Sequence, residues 1–201
     1  MSDHYFSRDP DPLKETRHIY AKLCGETFQF LTGGGVFSKK GIDFGSRLLI
    51  ESINLPSKGS ILDLGCGYGP IGIACARFEP SSSVTMVDIN PQAIQLAIEN
   101  VRLNQVEEQV KVIQSDGFSA VKDQKFDMVV TNPPIRTGKK NVYGMFSDAY
   151  LHLNANGELW TVIRKKQGAS SAFDELNRIF PEVEVVRKKK GYWILRAAKE
   201  I

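Results

Sequence analysis

The chain has 201 residues, 42% hydrophobic and 24% charged, enough for one sizeable core and close to the composition of ordinary globular domains. Twenty-six Lys and Arg against 23 Asp and Glu leave a net charge of +3, too small to indicate a nucleic-acid partner by itself. No apolar run approaches the roughly 18 residues of a bilayer span, and the polar start is unlike a signal peptide, so a cytoplasmic protein with no membrane partner is expected.

One domain is expected over residues 1–201, an N-terminal extension over 1–58 leading into a core over 59–201. In the extension, the run from Phe28 to Phe37 reads as two extended pieces around a glycine turn, followed by a helix over 44–53. From Ile61 onward, short β-rich runs alternate with helical patterns, the mark of a doubly wound α/β fold with a mostly parallel sheet. Seven strands are predicted, over 61–65, 84–88, 110–114, 126–131, 158–163, 183–187 and 192–197. Helices are predicted over 70–78, 91–104, 142–153 and 169–180, the last opened by Ser170 and Ser171 and closed before Pro181. The connection Lys188 to Gly191 is too short for a parallel crossover, so the last strand must run backwards, and it is expected at the sheet edge.

Cys24, Cys66 and Cys75 are odd in number and lack metal-ligand spacing; small buried residues are the expected reading, with no metal site.

Ile61-Leu-Asp-Leu-Gly-Cys-Gly-Tyr-Gly-Pro-Ile-Gly follows a strand and opens a helix, where glycines let a ligand approach the backbone. Gly67, Gly69 and Gly72 also fit a dinucleotide fingerprint with Asp88 as its ribose acid, so spacing alone leaves an NAD enzyme open. Asp63 favours the other reading. A carboxylate just before the first glycine repels a pyrophosphate and suits the cationic amino-acid end of S-adenosyl-L-methionine. Asp88 then accepts from the ribose hydroxyls, and Asp116, before the turn residue Gly117, from the adenine amine.

Phe126-Asp-Met-Val-Val-Thr-Asn-Pro-Pro-Ile runs a strand directly into Asn132, Pro133 and Pro134, and ligands bind outside such strand ends. An exocyclic amine is a weak nucleophile because its lone pair is delocalised into the ring. The Asn132 side-chain carbonyl and the Pro133 main-chain carbonyl, held by proline-fixed backbone, supply the acceptors that draw that pair out of the plane.

With Asp63-Leu-Gly-Cys-Gly-Tyr-Gly, Val87-Asp-Ile-Asn-Pro and Thr131-Asn-Pro-Pro-Ile-Arg-Thr-Gly-Lys in order, the chain resembles class I methyltransferases. More narrowly, it resembles the guanine-N2 methyltransferases of small-subunit ribosomal RNA. The resemblance implies a seven-stranded Rossmann-like sheet with a reversed last strand and S-adenosyl-L-methionine as donor. It implies donor contacts at Asp63, Gly65, Cys66, Gly67, Gly69, Asp88, Ile89, Asp116, Gly117 and Asn132, and catalytic roles for Asn132, Pro133 and Pro134. Substrate contacts are implied at Phe37, Ser38, Asp43, Ile135, Arg136 and Lys139, with ribosomal RNA or the small subunit as partner. Some members carry a second, degenerate domain for which 201 residues leave no room, so grip on the substrate is expected from elsewhere, a homodimer being one route.

Basic residues follow three strands, at Arg136, Lys139 and Lys140, at Arg164 to Lys166, and at Arg187 to Lys190. Strand direction delivers them to the edge carrying Asn132, where RNA phosphates could bind. Other acceptors (protein glutamine, DNA adenine, a small molecule) and a non-catalytic RNA-binding module remain alternatives at this level.

Overall fold

Alternating β-rich runs and amphipathic helices build a seven-stranded sheet in the computed structural model, which describes residues 16–33 and 41–200. In chain order the elements are β1 (Arg17–Leu23), β2 (Glu26–Thr32), α1 (Phe44–Ile50), β3 (Ser60–Leu64), α2 (Pro70–Phe78), β4 (Ser83–Asp88) and α3 (Pro91–Leu103). Then come β5 (Val110–Gln114), β6 (Phe126–Thr131), α4 (Lys139–His152), β7 (Leu153–Arg164), α5 (Ala169–Ile179), β8 (Glu182–Lys189) and β9 (Tyr192–Ala198).

The large sheet has the order β5-β4-β3-β6-β7-β9-β8. From β3 the chain winds outward through β4 to β5, then returns to place β6 on the other side of β3. That reversal opens a crevice outside the carboxyl ends of β3 and β6, where open α/β sheets bind ligands. The last strand is antiparallel to both of its neighbours, as expected, but it does not lie at the edge. After α5, β8 takes the outermost place, two positions from β7, and the two-residue turn at Lys190 and Gly191 sends β9 back into the gap. Each face has its own core. The β1–β2 hairpin, α1, α2 and α3 cover one, while α4 and α5 cover the other.

The expected glycine turn after Phe28 is not the turn of the N-terminal hairpin. Strands β1 and β2 meet at Cys24 (φ 48°) and Gly25 (φ 91°), a two-residue connection with both centres left-handed, the geometry that matches strand twist. Residues 34–40, with most of the expected second extended piece, lie outside the described residues. Alternation then sorts the hairpin: Ala21, Leu23, Phe28 and Phe30 are buried, while Tyr20, Lys22 and Gln29 face solvent.

The second edge of β2 is closed by side chains. Asn104 Oδ1 accepts from Gln29 N (3.2 Å) and its Nδ2 donates to Gln29 O (2.7 Å). One helical turn earlier, Asn100 repeats the pattern with Leu31 (2.6 and 2.9 Å) and donates also to Tyr68 O (2.8 Å). Two amides on α3 thus stand in for a neighbouring strand, satisfying backbone groups that burial would otherwise orphan. They also fix β2 against the glycine loop.

Several boundaries move. The first helix ends at Ile50, not at 53. Helix α4 begins at Lys139 and runs into β7 without a loop, so β7 starts at Leu153 where 158 was expected. Lys199 Nζ donates to Tyr150 O (3.0 Å) and Leu153 O (2.9 Å), and Lys125 Nζ to Leu151 O, so two lysines cap the carbonyls of that abrupt end. Helix α5 starts from left-handed Gly168 (φ 99°), and Ser171 Oγ donates to Gly168 O instead of serving as the expected cap. Among the cysteines, Cys66 and Cys75 are buried, but Cys24 is exposed on its turn.

Candidate active site

Asp63, the next-to-last residue of β3, has no exposed surface. Its Oδ2 accepts from Gly72 N (2.8 Å), while Oδ1 is buried with no partner among the described residues. Burial pushes the carboxyl up to about 7; the Gly72 N–H opposes this and the charge of Asp88 adds to it. The loop from Gly65 to Gly69 carries three glycines at φ 74°, 57° and 97°, a path closed to most side chains. At Gly72 a Cβ would come within 2.5 Å of Met86 Sδ, so glycine there lets α2 pack directly on β4.

Asp88, at the end of β4, ties the loop down. Its Oδ2 accepts from Gly67 N (2.8 Å) and its Oδ1 from Asn90 N (2.9 Å). Burial raises its carboxyl above the ordinary carboxylate range, against the pull of these N–H groups. The cap of α3 is Asn90, whose Oδ1 accepts from Gln92 N (2.9 Å), which leaves the remaining lone pairs of Asp88 for a ligand. Beyond β5, Ser115 Oγ donates to Gly117 O (2.8 Å) and accepts from Ala120 N (3.0 Å), shaping the turn that presents Asp116. Phe118 stacks on His152 at 4.4 Å between ring centroids.

At the end of β6, Thr131 Oγ1 donates to Leu64 O (2.8 Å), fastening the two strands that flank the crevice. Asn132 follows. Its Nδ2 donates to Ser46 Oγ (2.9 Å) and reaches the Asp43 carboxylate at 3.4 and 3.5 Å. Asp43 is itself the N-cap of α1, its Oδ1 accepting from Ser46 N (3.1 Å). With both amide hydrogens directed at α1, the Asn132 Oδ1 is the atom left to accept from a ligand. Pro133 O already accepts from Ile135 N (2.9 Å), so one lone pair remains on it.

A cleft of about 780 Å³ joins these parts. Of the residues singled out in the sequence, it is lined by Gly65, Asp88, Ile89, Asp116, Gly117, Asn132, Pro134 and Lys140. Asp63, Cys66, Gly67, Gly69 and Pro133 are not among its lining residues, and Asp63 is fully buried next to the glycine loop. Ile135 and Lys139 line a separate shallow hollow with Val142 and Gly168, and Arg136 is exposed on the turn before α4. Phe37 and Ser38 lie outside the described residues.

Of the far wall, formed by α4, only Lys140 was named from the sequence. Lys140, Gly144, Asp148 and His152 line the cleft at four-residue spacing, one stripe of a helix that begins just after Pro134. That polar stripe was the available signal. Asp88, Asp116 and Asp148 set against Lys140 give the lining an excess of carboxylates, which suits a cationic ligand.

The three basic clusters form one rim. Lys165 N donates to Gly191 O (2.7 Å), joining the end of β7 to the β8–β9 turn, and Lys139 packs its Cε beside Gly168. Lys188 stands over Trp193 (3.9 Å), Arg164 over Tyr192 (5.4 Å) and Lys190 over Phe44 (5.1 Å). Phe44 follows Asp43 in α1, so the rim reaches the group that holds Asn132. Among the described residues, no three His, Cys, Asp or Glu side chains gather as metal ligands, and no helix is long and apolar enough to cross a membrane.

Residues 27–196 match the family model described as "Methyltransferase small domain". The chain is 48% identical to the uncharacterised protein YbxB of Bacillus subtilis (strain 168), over 99% of this chain and all of that one. It is 31% identical to ribosomal RNA small subunit methyltransferase C of Escherichia coli (strain K12), covering 96% of this chain but 56% of that protein, so it spans about half the length of that relative. Among solved structures, a T. thermophilus 16S rRNA guanine-N2 methyltransferase in complex with AdoMet and guanosine superposes with a TM-score of 0.81 at 24% identity, over 95% of this chain and 52% of that one.

Proposed function

Because the chain belongs to the methyltransferase small domain family and so draws its methyl group from S-adenosylmethionine, we propose that it methylates an exocyclic amine, guanine N2 of small-subunit ribosomal RNA. The carrying observation is the held amide of Asn132. Ser46 and Asp43 take its hydrogens, so its carbonyl oxygen is preorganised as an acceptor at the rim of a donor-sized cleft.

When bound, the donor supplies a methyl group activated by a positively charged sulfur. The residues of the chain do the rest. Asp88 is held by Gly67 and Asn90 with lone pairs left for the ribose hydroxyls, and Asp116 stands ready for the adenine amine. Asp63, its Oδ1 buried and unpartnered beside the glycine loop, offers negative charge to the amino-acid end of the donor. Asn132 Oδ1 and the free lone pair of Pro133 O accept from the two N–H groups of the acceptor amine, localising its lone pair for attack on the methyl carbon. Orientation supplies much of the rate, and no metal or covalent enzyme intermediate is needed.

RNA as the acceptor is supported by the lysine rim beside Phe44 and by the likeness to the E. coli and T. thermophilus ribosomal RNA methyltransferases, and such an enzyme works in the cytoplasm. Labelled methyl from the donor should pass to small-subunit ribosomal RNA or to subunits. Asn132→Ala should still bind the donor yet transfer about 100-fold more slowly, the scale of losing one preorganised polar group. Full transfer by that variant would remove the chemistry assigned to Asn132.

A further inference from the structure

A guanine has a second donor beside the reacting amine: N1–H, one ring atom from N2. A site that holds N2 on Asn132 therefore places the N1 edge against whatever adjoins Asn132. On the α1 side that neighbour is Asp43, whose Oδ1 and Oδ2 lie 3.4 and 3.5 Å from the Asn132 amide nitrogen. Asp43 Oδ1 is committed to the N-cap through Ser46 N, but Oδ2 has no other hydrogen bond than that long one among the described residues. Asp43 is also half-buried, so a donor reaching it competes with little water.

We propose that the Asp43 carboxylate is a specificity-determining group that accepts from guanine N1–H, so that the Asp43–Asn132 pair reads the two adjacent donors of a guanine edge. This rests on the reading that the base amine docks on Asn132. An ionised carboxylate is an acceptor only. It matches guanine, whose N1 is a donor, and opposes adenine or 2-aminopurine, whose N1 lone pair would face it. One residue thus holds the catalytic amide and selects the base presented to it.

Asp43→Asn is the informative variant, since asparagine keeps an N-cap acceptor for Ser46 N and a polar partner for Asn132 but gives up the acceptor-only charge. The probes are guanosine and 2-aminopurine riboside, which keeps the 2-amino group and lacks N1–H. Direct fluorescence titration reads the affinity of 2-aminopurine riboside, and displacement by guanosine reads the other, with S-adenosylhomocysteine saturating the donor site. The native protein should prefer guanosine by about 10- to 100-fold, as for a hydrogen bond to a charged group, and Asp43→Asn should bring that ratio to within a few-fold of unity.

Unchanged thermal midpoint and S-adenosylhomocysteine affinity would show that the variant is intact. The same preference in both proteins, or no displacement by guanosine, would overturn the proposal. Nucleoside selectivity that follows Asp43 while ribosomal RNA accepts no methyl would leave it standing and remove the RNA reading instead.

Discussion

A carboxyl group with no exposed surface stands beside the glycine loop, and its protonation is set by burial more than by any partner. Burial pushes the Asp63 carboxyl up to about 7 from the ordinary 3.8 that the unfolded chain keeps, so between those values the native state holds a proton that the unfolded chain has lost. Its contribution to stability is therefore complete below about pH 4 and declines as pH rises through 7. Asp63→Asn keeps an acceptor for Gly72 N and cannot ionise. Relative to the native protein without donor, it should gain stability between pH 5 and pH 8 in urea denaturation; a difference that stays flat with pH would show that Asp63 is ionised throughout. Asp63, Asp88 and Asn132 were legible in the sequence because each stands at or next to the end of a strand whose position the hydrophobic pattern fixes. Ser46 was not: its meaning depends on Asn132, 86 residues away, and a serine inside a short helix carries no local sign of that partner.

At the level of elements, the sheet and its helices were readable from periodicity, while β1, the first strand of the N-terminal hairpin, was missed. Gly33, Gly34 and Gly35 look like a turn, and all but the first lie outside the described residues. The β1–β2 turn uses Cys24 at a left-handed φ, where asparagine, aspartate or glycine would have announced it, and the β8–β9 turn uses Lys190 in the same way. The second turn was found only because four residues cannot make a crossover. The clamp on β2 was equally hidden, since Asn100 and Asn104 lie in a helix and signal nothing about a strand edge. Asn100 is fully buried, and its loss strands Leu31 N, Leu31 O and Tyr68 O together. Asn100→Ala should cost about 2–4 kcal/mol in urea denaturation and speed hydrogen exchange at the Leu31 amide. Because Tyr68 belongs to the glycine loop, the same variant should weaken donor binding, which an Asn104→Ala control should do less. Equal effects of the two on donor affinity would break the link between hairpin and loop.

Across the whole molecule, a net charge of +3 conceals a division of labour. Carboxylates dominate the cleft, and cations crowd the rim beside it, where aromatic rings hold Arg164, Lys188 and Lys190 while Arg187 lies 3.7 Å from Glu51. Strand direction explains why clusters far apart in sequence converge: β6 and β7 run parallel and β8 parallel to β7, so the residue after each strand emerges at the same end. That much followed from the sequence, although the union of Lys165 with Gly191 needed β9 in its true place. The rim and the cleft should therefore be separable by experiment. Replacing Lys165, Lys166 and Lys189 with alanine removes three exposed cations that lie outside the cleft lining. If each meets a phosphate, the slope of log affinity against log salt for ribosomal RNA should shrink by about 2, near 0.7 per contact for single strands, with donor affinity unaltered. A slope that stays fixed while affinity drops would mean that these lysines act through packing, and the phosphate contacts would have to be sought elsewhere on the surface.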